Sequence, residues 1–226
     1  MTESRKSLML AALGKCVMGL VFMALLLFPA AGTMDYRGGW LLLGLLFIPM
    51  IVMGIVLLIK SPELLRRRLD SKEKRSNQRG VIGMSGLIFI VGFVVAGIDY
   101  RYGWSHIGNT GVYIASLLFL VGYALYGEVL RENVWLSRTV KVESEQEVIS
   151  TGLYGIVRHP MYTATLLMFL SMPVILGSLW SLAVFMIYIP IIVVRLLDEE
   201  QLLRKELKGY DEYCQKVRWR LLPYLW

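Results

Sequence analysis

Apolar residues in this chain come in long runs and do not alternate with polar ones. Six runs stand out, at about residues 8–30, 40–59, 81–98, 110–130, 161–176 and 179–196. A hydrocarbon core of roughly 30 Å takes about 20 helical residues to cross. Lipid offers no partner to unpaired backbone groups, and no segment has the period-two pattern of a barrel strand, so the runs predict membrane helices. The last two are short and separated only by Gly177 and Ser178. They predict a tilted helical hairpin, with one shallow or re-entrant limb as the alternative. The first run follows Arg5 and Lys6 as a signal peptide would, but it is too long for a signal h-region and further spans follow it, so it reads as a transmembrane helix. The tail beyond 198 spaces Leu202, Leu203, Leu207 and Tyr210 as an amphipathic helix does. The predicted fold is an all-α polytopic membrane protein. A four-helix N-terminal scaffold (1–135) precedes a C-terminal module (136–226) made of the hairpin and a cytoplasmic tail helix.

Charge adds an orientation. Of 24 Lys and Arg, only Arg37 and Arg101 fall in the loops after spans one and three. The positive-inside rule then places both termini in the cytoplasm, and an even number of spans agrees. The net charge of +7, in a chain that is 56% hydrophobic with mean hydropathy +0.58, reads as this topology signal plus attraction to anionic headgroups. Nucleic-acid binding is not expected. Cys16 and Cys214 do not form a plausible pair, and with only two histidines no metal site is expected. The basic stretch Lys60–Asp70 reads as a headgroup-facing loop. Gly83, Gly86, Gly92 and Gly97 in span three read as close-packing positions, and Glu128 and Arg131 as an i,i+3 pair. The span interiors carry essentially no ionisable group apart from Lys15, which argues against a transporter.

Polar chemistry gathers instead at the two ends of the hairpin. Pro160 suits the first position of span five. That puts Arg158 and His159 at a helix N-terminus, where free amides and the dipole favour an anion, with Tyr162 half a turn further on. Arg195 and Glu199 share a face at the cytoplasmic end of span six, and Tyr188 and Ile192 continue that face into the membrane. An arginine at the mouth of an apolar groove can hold a carboxylate bidentately.

These residues also carry a resemblance. The order is Gly152-x-Tyr154-x-x-x-Arg158-His159-Pro160-x-Tyr162, an apolar hairpin, Arg195-x-x-x-Glu199-Glu200, Tyr210-x-x-Tyr213-x-x-x-Val217 and Pro223. Over about residues 144–226 it resembles the isoprenylcysteine carboxyl methyltransferase family and, more broadly, the phospholipid methyltransferases. The resemblance implies S-adenosyl-L-methionine as cofactor. Gln146, Glu147, Val148, Ile149, Tyr154, His159, Pro160, Met161, Tyr162 and Glu199 would bind it. Arg195 and Arg158 would be the catalytic groups, with Arg195 and Tyr188 on a lipidic or prenylated substrate entering from the bilayer. Two positions depart from the family pattern, Ala164 where a glycine or similar small residue is usual and Thr139 near a cofactor-binding glutamine. Carboxyl O-methylation of an isoprenylated cysteine or similar lipidic acid is the leading expectation, since a carboxylate needs no base near pH 7. Phospholipid N-methylation is next. A more distant resemblance, to NADPH-dependent membrane sterol reductases, and a non-catalytic membrane protein complete the alternatives.

Overall fold

The computed structural model describes residues 3–70, 76–136 and 145–226, and among these every regular element is helical. Two long helices, α1 (Glu3–Ala31) and α2 (Arg37–Lys60), are followed by the short α3 (Pro62–Leu69). Then come α4 (Ser76–Tyr102), α5 (Asn109–Glu132), α6 (Pro160–Ile175), α7 (Leu179–Met186), α8 (Tyr188–Glu206) and α9 (Tyr210–Lys216). Five stretches are long and apolar enough to cross a membrane: Arg5–Ala31, Arg37–Lys60, Gly80–Tyr102, Asn109–Glu132 and Leu179–Glu206. Only 11–28% of each apolar stretch is buried inside the protein, so most of its hydrophobic surface faces outward. Helices this apolar on their outer faces are stable in lipid and not in water. The chain is an integral membrane protein.

The expected fifth span is shorter than the rest. α6 has 16 residues, about 24 Å at the helical rise. It nevertheless runs between the two ends of the bundle. At its start, the Thr163 hydroxyl donates to the Leu221 carbonyl (2.7 Å). Just beyond its end, the Leu176 carbonyl accepts from the Tyr36 hydroxyl (2.7 Å). The expected sixth span is two helices in line. Pro190 has no N–H for the Met186 carbonyl, and the helical ladder breaks at Ile187. α8 then continues to Glu206, well past the expected end at 196. The single tail helix expected through Leu202–Tyr210 is also divided, because Gly209 takes a left-handed φ of 85° between α8 and α9.

The end of the bundle away from the cleft is closed by polar contacts. Asp99 lies inside α4, just past the expected end of span three, and is 1% exposed. It accepts from the Ser105 amide (2.7 Å) and from the hydroxyls of Ser105 and Ser178. Buried carboxylates persist only with such partners. Of the four α4 glycines expected to pack closely, Gly92 faces the Phe185 ring and Gly97 faces the Leu27 carbonyl and Ala30, whereas Gly83 and Gly86 meet nothing. The packing expectation therefore holds for two of the four. At the other end, Leu8, Leu57, Leu64, Leu65 and Leu130 cluster, so α3 is seated on the bundle by its leucines and is not merely a solvated loop. Glu128 pairs with Arg131 as the spacing predicts.

A methyl group on Gly97 would stand 2.7 Å from the Leu27 carbonyl oxygen. Gly97→Ala is therefore expected to destabilise the protein by about 1–3 kcal/mol, the usual cost of overpacking. Gly83→Ala is expected to be neutral or slightly stabilising. Thermal unfolding in detergent compares the two directly.

Candidate active site

The motif glycine opens the site. Gly152 has φ 51°, and a Cβ there would lie 1.4 Å from Glu132 Oε1. The Glu132 carboxylate at the end of α5 accepts from the Leu153 amide (3.0 Å). A single 3-10 turn, Gly152–Gly155, is thereby fixed against α5, and Tyr154 is turned inward to receive a hydrogen bond from Asn133 Nδ2 (2.9 Å).

The Arg-His-Pro turn follows, with His159 capping α6 and Pro160 at its first position. The amides of Arg158 and His159 donate to the carbonyls of Trp219 (2.8 Å) and Arg220 (2.9 Å). This corrects the expectation of free amides waiting for an anion: the C-terminal segment occupies them. The side chains of the same turn meet Glu200, which is 3% exposed. Arg158 Nε lies 3.1 Å from Oε1, an ion contact whose geometry makes no hydrogen bond. His159 Nε2 pairs with Oε1 at 3.2 Å, and Arg220 Nε donates to Oε2 at 3.0 Å. One buried carboxylate thus joins α8, the Arg-His-Pro turn and the C-terminal segment.

Glu199 points elsewhere. The Tyr162 hydroxyl donates to Glu199 Oε2 and accepts from Arg195 Nε (3.0 Å). These three residues stand on one side of a cleft of about 860 Å3, open mouth included. Gln146, Glu147, Val148 and Ile149 form part of its wall, with Tyr154, Arg158, His159 and Met161 nearby. Asn133, Trp135, Leu203, Leu207, Tyr210 and Tyr213 also line it. Of the residues expected at the site, Pro160 and Tyr188 are not in the lining. Pro160 is buried in the first turn of α6, and Tyr188 lies in an aromatic cluster with Phe89 and Phe169. Thr139 lies outside the described residues. Burial, the first cause in each case, holds the hydroxyls of Tyr154, Tyr210 and Tyr213 well above the ordinary tyrosine range, so all three stay protonated.

With this arrangement in view, the comparison with known families adds support for the class. Residues 110–208 match the phospholipid methyltransferase family. The match supports a membrane methyltransferase. It begins at α5, earlier than the resemblance read from motifs, and it ends before the C-terminal segment. α5, where the match begins, packs along α6. Gly122 of α5 lets α6 approach so closely that a Cβ there would be 2.8 Å from Met168 and 3.1 Å from the Ala164 carbonyl. Ala164 is fully buried at this contact, so a small residue is required where the family usually has glycine. The chain is also similar to the Delta(14)-sterol reductase TM7SF2 of Mus musculus, 32% identical over 91 residues, which is 39% of this chain and 22% of the relative. The chain therefore spans about a fifth of the length of that relative.

Glu200, Arg220, Tyr210 and Asn133 were not singled out by sequence reasoning as site residues. Glu200→Ala leaves Arg158 buried without its counter-ion and is expected to cost about 3–5 kcal/mol. Glu199→Ala, at a half-buried position, should cost much less. Unfolding midpoints of the two variants in detergent should separate clearly, although the residues are adjacent.

Proposed function

We propose that this protein transfers a methyl group from S-adenosyl-L-methionine to the carboxylate of a lipidic acid, an isoprenylated cysteine or a close chemical relative. The observation that carries the reading is the Arg195–Tyr162–Glu199 group, set in a cleft whose wall holds Gln146–Ile149, Tyr154, His159 and Met161. The cofactor, when bound, supplies a methyl group already activated by sulfonium charge. What remains for the chain is to hold and align the acceptor and to keep water out.

Arg195 is the substrate anchor in this reading. Its guanidinium is held by Tyr162 and faces a carboxylate that arrives between apolar helices, where a charge-assisted bond is strong. Glu199, on the same hydroxyl, presents negative charge to the cationic part of the cofactor. His159 pairs with Glu200 through Nε2 and so helps to hold the turn against α8. A carboxylate acceptor needs no base, since it is ionised near pH 7. An amine acceptor would need to lose a proton, and this favours O-methylation over phospholipid N-methylation. Arg158 takes a positioning role here, its charge committed to Glu200. In this topology the cleft opens to the cytoplasm, where both termini lie, and the lipid chain of the substrate stays in the bilayer.

The sterol reductase similarity favours a second reading, an NADPH-dependent reduction in the same cleft. Titrating the purified protein in detergent with S-adenosylmethionine and, separately, with NADPH distinguishes them. S-adenosylmethionine binding is expected, and binding of NADPH alone would overturn the methyltransferase reading. Glu199→Ala should weaken the cofactor. Arg195→Ala should lower kcat/KM for a farnesylated cysteine acceptor by about 10- to 100-fold, the range of one lost charge-assisted bond. Its cofactor Kd should stay within about twofold, because the anchor acts on the acceptor.

A further inference from the structure

The cleft divides by chemistry. Arg195, Tyr162 and Glu199 form its hydrogen-bonded, charged part. Leu207, Tyr210 and Tyr213 pack together with Val148 and Leu203 into an apolar and aromatic part. Four tyrosines line this space, and three of their hydroxyls have a hydrogen-bond partner. Tyr162 binds Glu199 and Arg195, Tyr154 accepts from Asn133, and Tyr213 donates to the Tyr154 carbonyl (2.8 Å). Tyr210 differs. It is 4% exposed, and its hydroxyl has no hydrogen-bond partner among the described residues. A buried hydroxyl without a partner is costly and uncommon in a folded protein, and one lining a cleft is satisfied most directly by what the cleft binds.

Building on the cofactor reading above, we propose that Tyr210 donates a hydrogen bond to a ring nitrogen of the purine base of bound S-adenosylmethionine, which lies in the aromatic part of the cleft. The base is flat and neutral and carries its lone pairs in the ring plane, which suits an apolar, tyrosine-lined wall with a buried, partnerless hydroxyl. The charged amino-acid end of the same molecule then lies toward Arg195 and Glu199, which brings its sulfonium close to the substrate anchor. The Tyr210 hydroxyl stays protonated at any working pH because burial opposes its ionisation, so it is a donor throughout.

The test uses the full chain in detergent, with Kd measured by calorimetry and the ligand-free unfolding midpoint measured in parallel. Tyr210→Phe removes only the hydroxyl. It should weaken S-adenosylmethionine and S-adenosylhomocysteine by about three- to tenfold, the range of one neutral hydrogen bond, and leave the ligand-free midpoint unchanged or slightly higher. Tyr213→Phe, which breaks the bond to the Tyr154 carbonyl, should lower the ligand-free midpoint. Analogues of S-adenosylhomocysteine in which one purine nitrogen is replaced by C–H identify the acceptor. One analogue should bind the wild type as weakly as the parent binds Tyr210→Phe, and should lose nothing further in that variant. An unchanged Kd, a lowered midpoint or misfolding in Tyr210→Phe, or no analogue sharing the loss overturns the proposal while leaving the cofactor reading intact. Absence of S-adenosylmethionine binding to the wild type overturns both.

Discussion

A carboxylate gives up its hydration only where other charges and donors replace it, and Glu200 is almost fully enclosed. Its two oxygens are shared among Arg158, His159 and Arg220. With Glu200 itself on α8, the group joins three parts of the sequence, that helix, the Arg-His-Pro turn and the C-terminal segment. Their union fixes where α6 begins relative to α8, and therefore where Tyr162 meets Arg195 and Glu199. The backbone repeats the connection, since the Arg158 and His159 amides are closed by the Trp219 and Arg220 carbonyls. Remove the charge at 200 and the cleft loses the brace that sets its width.

The bilayer imposes the other constraint. Apolar helices gain little from packing on one another in lipid, so close approach and buried hydrogen bonds must hold the bundle. Gly92, Gly97 and Gly122 supply the approach. Asp99 with its serines, and Tyr36 with the Leu176 carbonyl, close the far end. With that end fixed, the end bearing the cleft can be polar and open without loosening the helices. α5 belongs to both tasks: it packs along α6 and its last residues, Glu132 and Asn133, anchor the turn that carries Tyr154.

Much of this is visible in the sequence because lipid simplifies the code. Length and hydropathy locate the spans, and Pro160 marks the start of α6. Helix continuity was harder to read. The break at Ile187 depends on a proline three residues later, and the left-handed Gly209 hides inside a pattern of leucines that looks continuous. At the site, the i,i+4 spacing of Arg195 and Glu199 placed both on one face, and both line the cleft, but it gave no role to Glu200. Neighbours on a helix point about 100° apart, so Glu200 turns away from that face, and only packing shows that it meets the buried Arg158. Arg220 lies beyond the last helix, and nothing in its spacing points to Glu200. The orphan hydroxyl of Tyr210 is a property of three-dimensional surroundings and has no signature in sequence.

The central claim is that one cleft, built by the Arg-His-Pro turn, α8 and α9, receives the methyl donor beside Arg195. The most direct measurement is ultraviolet cross-linking of S-adenosylmethionine carrying a radioactive methyl group to the purified protein, followed by peptide mapping. The account predicts label within residues 146–162 and 199–213, displaced by excess S-adenosylhomocysteine. Displaceable label confined to α1, α2 or α3 would contradict it.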